Sequence, residues 1–242
     1  MILITGGAGF IGTNLVLELN NRGEEKILIV DNIENTKKEN NLKRLKYSEY
    51  VNKNDFWEWL KINRRIKIER IIHLGACSDT TVTDTNYLHE NNVVYSQKLW
   101  KLAVERNIQF IYASSAATYG NGSLGFSDDH DMIPKLKPLN PYGQSKQDFD
   151  LWCLMQTETP PLWIGLKYFN VFGPYEAHKG RMASMVWHGY NQIKETGKIQ
   201  LFKSHREDYI DGEQVRDFIY VKDAVEMTLA QFNHSMDSGI YN

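Results

Sequence analysis

Tyr142 and Lys146 stand four residues apart in Tyr-Gly-Gln-Ser-Lys, within a stretch patterned as a helix. That spacing sets both side chains on one helix face. A tyrosine hydroxyl ordinarily titrates near ~10, and an adjacent ammonium favours the phenolate, which moves the group toward values useful for general acid–base work. The spacing alone also fits an exposed helix pair. Ser114 and Ser115 strengthen the chemical reading, because they follow an apolar run at 109–113 that reads as a strand. Both hydroxyls then lie at the carboxyl edge of a sheet, where open α/β sheets bind ligands and a serine can hydrogen-bond a reacting oxygen.

A second constellation opens the chain. Gly6, Gly9 and Gly12 form a GxxGxxG spacing directly after a strand-like run and at the start of a helical one. The first glycine permits a tight turn, the second lets backbone approach a pyrophosphate, and the third allows close helix–strand packing, with the helix N-terminus facing the phosphates. Asp31 follows about twenty residues on, where a carboxylate meets the adenosine ribose. The residues leave two cofactors open. Asp31 favours a free ribose hydroxyl, whereas Lys37, Lys38 and Lys53 suit a 2′-phosphate or are simply solvated.

The elements that must position these groups alternate. Runs at 2–5, 26–30, 70–74, 109–113 and 162–167 read as buried parallel strands, and 11–21, 55–63, 91–106 and 142–155 as helices. This βαβ order predicts an α/β, Rossmann-type doubly wound parallel sheet. The Gly-, Asp- and Pro-rich stretch 121–141 reads as a loop over a site. Beyond about residue 170 the pattern loosens, with a helix near 183–195 and a strand near 218–221, so this part is expected to hold substrate.

Composition excludes several classes. The 242 residues carry 28 basic against 30 acidic side chains, a formal charge of -2, with both signs interspersed. Neither a nucleic-acid surface nor a membrane patch is indicated. The opening residues have no basic n-region and run at once into glycine, which argues against a signal peptide or membrane span. Two cysteines, Cys77 and Cys153, supply neither a disulfide framework nor a zinc site, so no metal is expected and a reducing cytoplasm fits best.

Ser115, Tyr142 and Lys146, in this order after a glycine loop, resemble the catalytic triad of short-chain dehydrogenases/reductases; of the two serines the family pattern selects Ser115. The run from Lys167 through Tyr-Phe-Asn-Val-Phe-Gly-Pro-Tyr-Glu-Ala-His-Lys-Gly-Arg-Met-Ala to Ser184 narrows the likeness. It is similar to the RYFNVYGPxExHKGxMAS stretch of the ADP-L-glycero-D-manno-heptose 6-epimerase family, extended members of the NAD-dependent epimerase/dehydratase superfamily. His73 to Ser78, Tyr112 to Gly120, and Asp31-Asn32 with Lys38 and Lys53 extend the resemblance over the whole chain.

The resemblance implies a Rossmann domain over 1–169 and a partial substrate-binding region over 170–242, with the chain crossing back near 215–232. It implies that Phe10, Ile11, Asp31, Asn32, Lys38, Lys53, Leu74, Gly75, Ala76, Cys77, Ser78, Asn91, Lys146 and Val171 join the glycine loop in lining the cofactor. Lys38 and Lys53 tilt the choice to NADP, with NAD the alternative. Ser78, Asn170, Arg181, His188, Phe202 and Arg216 would hold an ADP-heptose, and Tyr142 and Lys179 would be the two acid–base residues. The implied reaction takes hydride from C6 of the heptose and returns it to the opposite face, for the inner core of lipopolysaccharide. A homo-oligomer, a pentamer in this family, is implied as well.

The chain departs from the family pattern in places. Leu74 replaces a usual Glu, Arg181 a small residue, and 204–214, with His205, is longer and more acidic. The family also continues past Tyr241-Asn242 into a Gly-Thr-Gly loop and further helices, which reads as truncation. Uncovered apolar surface and an incomplete sugar pocket would then leave the 242-residue chain with weakened or absent turnover, and robust epimerisation by it would contradict that expectation.

Two other readings compete. A UDP-hexose 4-epimerase is disfavoured only by His178-Lys179, and a dehydratase by Ala116-Ala117 where an Asp-Glu pair is common. A redox-sensing regulator that binds NADP without turnover is disfavoured by the intact Ser115, Tyr142 and Lys146.

Overall fold

The apolar run ahead of the glycine loop forms β1 (Ile2–Thr5), and the next forms β2 (Ile27–Asp31), each buried at every residue. Alternate side chains of these strands feed opposite faces, as a period of two requires. Leu3, Leu28 and Val30 enter one apolar cluster, and Ile2, Ile4, Ile27 and Ile29 enter the other. The computed structural model describes residues 1–33, 36–204, 207, 210–232 and 237–242.

The remaining strands are β3 (Glu49–Asn52), β4 (Arg70–His73), β5 (Gln109–Ser115), β6 (Trp163–Tyr168), β7 (Asn170–Phe172), β8 (Phe218–Tyr220) and β9 (Gly239–Tyr241). Among the described residues, seven parallel strands form one sheet in the order β3-β2-β1-β4-β5-β6-β9, and β7 and β8 pair separately. The order reverses between β1 and β4, where Thr5 is the register partner of His73. The sequence reading missed β3, an edge strand whose one buried residue is Val51, and the three-residue β7 and β9.

Helices α1 (Phe10–Asn21), α2 (Thr36–Leu42), α3 (Phe56–Ile62), α4 (Thr85–Leu88), α5 (Tyr95–Glu105), α6 (Pro141–Leu154), α7 (Met185–Thr196) and α8 (Val221–Ala230) complete the order. One face of the sheet is covered by α3, α5 and α6 through Phe56, Trp100 and Phe149. The other is covered by α1 and α8 through Leu15, Val16, Val221 and Val225. The helix expected over 91–106 begins earlier and is irregular: α4 runs through a π-helical segment, His89–Val94, into α5.

The stretch 121–141 is mostly loop, with a short 3-10 turn at Ile133–Lys135. It packs at the end of the sheet, its Phe126 against the rings of Tyr119 and Phe169, and His130 accepts a hydrogen bond from the Ile240 amide. Among the described residues, no helix is long and apolar enough to cross a membrane.

Trp100 is 1% exposed and packs against Phe110, Trp152 and Trp163 with ring centroids 5.8, 5.8 and 5.1 Å away. Trp100→Ala should therefore lower unfolding free energy by about 3–5 kcal/mol, read from the midpoint of urea unfolding. A loss under about 1 kcal/mol would show that this cluster does not anchor the α5 face.

Candidate active site

The first turn after β1 is shaped by close approach. Gly6 has φ +70°, and a Cβ there would come within 2.7 Å of the Gly75 nitrogen; one on Gly12 would come within 2.1 Å of the Gly6 carbonyl oxygen. Side chains are excluded at both places, so the turn after β1 lies against the segment that follows β4, α1 starts close on that turn, and backbone N–H groups face a crevice. Gly6, Gly9, Phe10, Ile11 and Gly12 line a cavity of about 1080 Å³ that opens from that crevice.

A directed run of hydrogen bonds holds the crevice walls. The Ser96 hydroxyl donates its proton to the Asn92 carbonyl at 2.6 Å. It can then only accept from His73 Nε2, 2.8 Å away. The proton of the His73 ring is thereby assigned to Nε2, and Nδ1 accepts from the Thr5 hydroxyl at 2.6 Å. Thr5 Oγ1 in turn accepts from the Gly75 amide at 3.1 Å. Burial pushes His73 down to about 3, with Lys146 adding to the shift, so the ring stays neutral.

The π-helical segment turns Asn92, 1% exposed, into the same wall. Its amide brackets the Cys77 backbone, accepting from the N–H at 2.8 Å and donating to the carbonyl at 3.0 Å, and it also donates to Ser145 Oγ. The sequence reading missed Asn92; a polar residue on an apolar helix face was the one available signal.

Helix α6 is started by Asn140, whose side chain accepts from the Gly143 amide at 2.8 Å, and by Pro141 at its first position. That start fixes Tyr142 in the first turn and Lys146 one turn on. Lys146 Nζ donates to the Ala113 carbonyl of β5 at 2.8 Å. Burial lowers its pKa to about 8, with Asp150 opposing. Burial raises the Tyr142 pKa, and the Ser115 hydroxyl beside it pulls the other way. Ser115, Tyr142 and Lys146 all line the large cavity.

Lys179 comes to that cavity from a different part of the chain, the 3-10 segment Ala177–Met182. Its ammonium lies 5.6 Å from the Phe10 ring centroid, and burial lowers its pKa against the pull of Glu176. Leu74, Gly75, Ala76, Ser78, Asp31, Lys38, Asn170, Val171, Phe202 and Arg216 also line the cavity. Asn32, Lys53, Cys77 and Asn91 line an adjoining one of about 330 Å³ that shares Gly6, Asp31, Gly75, Ser78 and Lys179.

Arg181 and His188 line neither cavity. The Arg181 guanidinium donates to Asp79 and Thr81 across the cleft, and His188 sits on α7 with Nε2 3.4 Å from the Arg181 carbonyl oxygen. His205 lies outside the described residues. His178, unassigned from sequence, lines both cavities.

At the adenosine end, the Asp31 carboxylate accepts from the Ala8 amide at 2.9 Å, the Asn32 amide at 2.7 Å and Lys38 Nζ at 2.5 Å. Lys53 Nζ donates to Asn91 Oδ1. Gly6, Gly12 and this crevice have the form that a bound dinucleotide needs, with backbone donors at the phosphates and polar side chains beyond.

Comparison with known proteins agrees with this geometry. The profile of the NAD dependent epimerase/dehydratase family matches residues 2–242. An ADP-L-glycero-D-manno-heptose-6-epimerase of Fusobacterium nucleatum is 50% identical over 245 residues, covering 100% of this chain and 74% of the relative. A protein of the same name from Nitratidesulfovibrio vulgaris is 46% identical, with coverage of 100% and 75%. The crystal structure of Helicobacter pylori ADP-L-glycero-D-manno-heptose-6-epimerase superposes with a TM-score of 0.84 at 30% identity, over 100% of this chain and 75% of that one.

The neutral His73 ring has a consequence for stability. Its pKa falls from an ordinary 6.5 to about 3 on folding, so the unfolded chain takes up a proton that the folded chain refuses as pH drops through that window. Stability from this group is complete above 6.5 and is lost progressively toward 3. Urea midpoints measured from about pH 8 down to about pH 4 should fall in the wild type and fall less in His73→Gln; equal slopes would remove His73 as the cause.

Proposed function

Because the chain belongs to the NAD dependent epimerase/dehydratase family, we propose that it inverts C6 of ADP-D-glycero-D-manno-heptose. The observation that carries this reading is the meeting of two acid–base side chains, Tyr142 and Lys179, on one cavity continuous with the dinucleotide crevice. Relatives named ADP-L-glycero-D-manno-heptose-6-epimerase at 42% to 50% identity supply the sugar and the carbon.

An epimerase must remove hydrogen from one face of a carbon and restore it to the other. A bound nicotinamide dinucleotide supplies the chemistry of lending and recovering a hydride. The residues manage the proton. Tyr142 accepts the proton of the C6 hydroxyl in one pose, helped by the Lys146 ammonium, which favours the phenolate. Ser115 holds the sugar oxygen. When the transient ketone turns over, the oxygen faces Lys179, whose burial-lowered pKa suits it to exchange a proton there.

We favour NADP over NAD on the Asp31–Lys38 ion pair. An unpaired Asp31 would repel a 2′-phosphate, whereas here its carboxylate is occupied by three donors, one of them an ammonium. Lys38 and Lys53 then present positive charge toward that phosphate. The oligomer, the cytoplasmic setting and the lipopolysaccharide role are carried by the family resemblance.

Two measurements check the reading. Incubation with ADP-D-glycero-D-manno-heptose and, separately, UDP-glucose, followed by NMR, should show inversion at C6 of the heptose, however slow in the 242-residue chain, and none at C4 of the hexose; the reverse pattern overturns it. Tyr142→Phe should lower the heptose rate by about 10²–10⁴-fold. For the cofactor, Lys38→Ala should weaken NADP binding by calorimetry far more than NAD binding, and equal losses would remove the case for NADP.

A further inference from the structure

Behind the catalytic edge lies an ion pair that the proposed proton transfers do not use. Asp150 and Lys167 have side chains with 0% exposure, 2.8 Å apart. Asp150 sits one helical turn after Lys146 on α6. Its carboxylate also accepts from the Tyr112 hydroxyl at 3.0 Å and the Ser114 hydroxyl at 2.7 Å. Lys167 Nζ donates in addition to Thr118 Oγ1 at 2.8 Å and lies over the Tyr119 ring. One carboxylate thus ties α6 to β5 and β6 at the place where β5 delivers Ser115.

As a source of stability such a pair is poor, because desolvation offsets the attraction and apolar side chains of equal volume would serve as well. Its position gives it another effect. We propose that Asp150 and Lys167 form a buried charge counterweight that sets the protonation states of Lys146 and Tyr142. In a low-dielectric interior an unbalanced charge this near would act strongly on both. The neutral pair holds Ser114 in place while adding little net field.

The other groups facing this volume are accounted for. Lys146 faces His73 and Cys77, and Asp150 faces Tyr112, Tyr119 and Cys153. Burial pushes His73 down to about 3 and drives Tyr112 and Cys153 well up, so these three stay neutral. Asp150 supports the ammonium of Lys146 against burial and also faces Tyr142, whose ionisation it opposes directly; Lys167, 2.8 Å from Asp150, carries the opposite charge.

The inference rests on the reading of Tyr142 and Lys146 as the proton-transfer pair, but its test needs no sugar. Lysine labelled with ¹³C at Cε, with the Lys146 resonance identified by its loss in Lys146→Met, reports the titration midpoint directly. Wild type should titrate near about 8. Asp150→Asn leaves Lys167 unbalanced and should lower the midpoint by about one pH unit; Lys167→Met leaves Asp150 unbalanced and should raise it by about as much. The double variant should return to within about half a unit of wild type.

A purely structural pair would leave both single variants unmoved or move them the same way, without restoration in the double variant; either result overturns the proposal. If Asp150→Asn does not fold, Ser114→Ala removes one donor dipole from the carboxylate with both charges in place. It should raise the midpoint measurably, and an unmoved midpoint overturns the proposal in that case. Inversion at C4 of the hexose with an untouched heptose would sink the functional reading alone, since the titration stands without it.

Discussion

The site depends on the divergence of two neighbouring strands and on the hydrogen bonds that make their ends one rigid object. β1 and β4 are register partners at Thr5 and His73, but their chains leave in opposite directions, α1 to one face of the sheet and the segment leading to α5 to the other. A crevice opened this way would carry unpaired polar groups at its floor. The run from the Gly75 amide through Thr5, His73 and Ser96 to the Asn92 carbonyl satisfies them in one direction, each hydroxyl donating once and accepting once. Gly6 presses against Gly75 at the same place, so both walls of the nucleotide site are set by a single buried chain of contacts.

The same wall carries the influence to helix α6. Asn92 holds the Cys77 backbone and Ser145 at once, and Ser145 is the residue before Lys146 on α6. The π-helical segment is what aims Asn91 and Asn92 as they stand, because the extra residue in the turn displaces the helix face. Lys53 then meets Asn91, so the Asp31 end of the crevice and helix α6 are linked through one irregular turn. Two carboxylates of this region are paired: Asp31 with Lys38, and Asp150 with Lys167. Pairing lets a buried carboxylate stay ionised without dominating the local field.

Much of this was readable from the chain, and the boundary has a physical basis. The glycine loop and the meeting of Ser115, Tyr142 and Lys146 on one cavity are legible because their placement is expressed in local spacing: a turn, a strand end, one helix turn. Lys179 was legible only through resemblance, since nothing local says that a lysine near residue 180 meets Phe10. Asn92, His178 and the Asp150–Lys167 pair were missed because the contacts that bring them to the site are made with residues distant in sequence and chosen by packing, among them Cys77 and Ser145, Asn41, and Tyr112 and Ser114. The edge strand β3 and the three-residue β9 lack the double-faced apolar run that marks a central strand. The 121–141 loop has the composition of a lid, but its aromatic Phe126 is drawn to Tyr119 and Phe169, so it caps the sheet end and leaves the cavity to other segments.

The two sides of the cavity are packed differently. On the side of the glycine loop, α6 buries Tyr142, Lys146 and Asp150 among eight of its residues. On the opposite side, α7 buries only Gly189 among its described residues, and Phe202 and Phe218 are 59% and 46% exposed. The chain spans about three quarters of the length of the relatives it matches, so that exposure belongs to these 242 residues alone and says nothing about the reaction. The buried side does bear on it: a proton transfer of the proposed kind needs Tyr142 and Lys146 held in one geometry, and the packing of α6 against β5 supplies that hold.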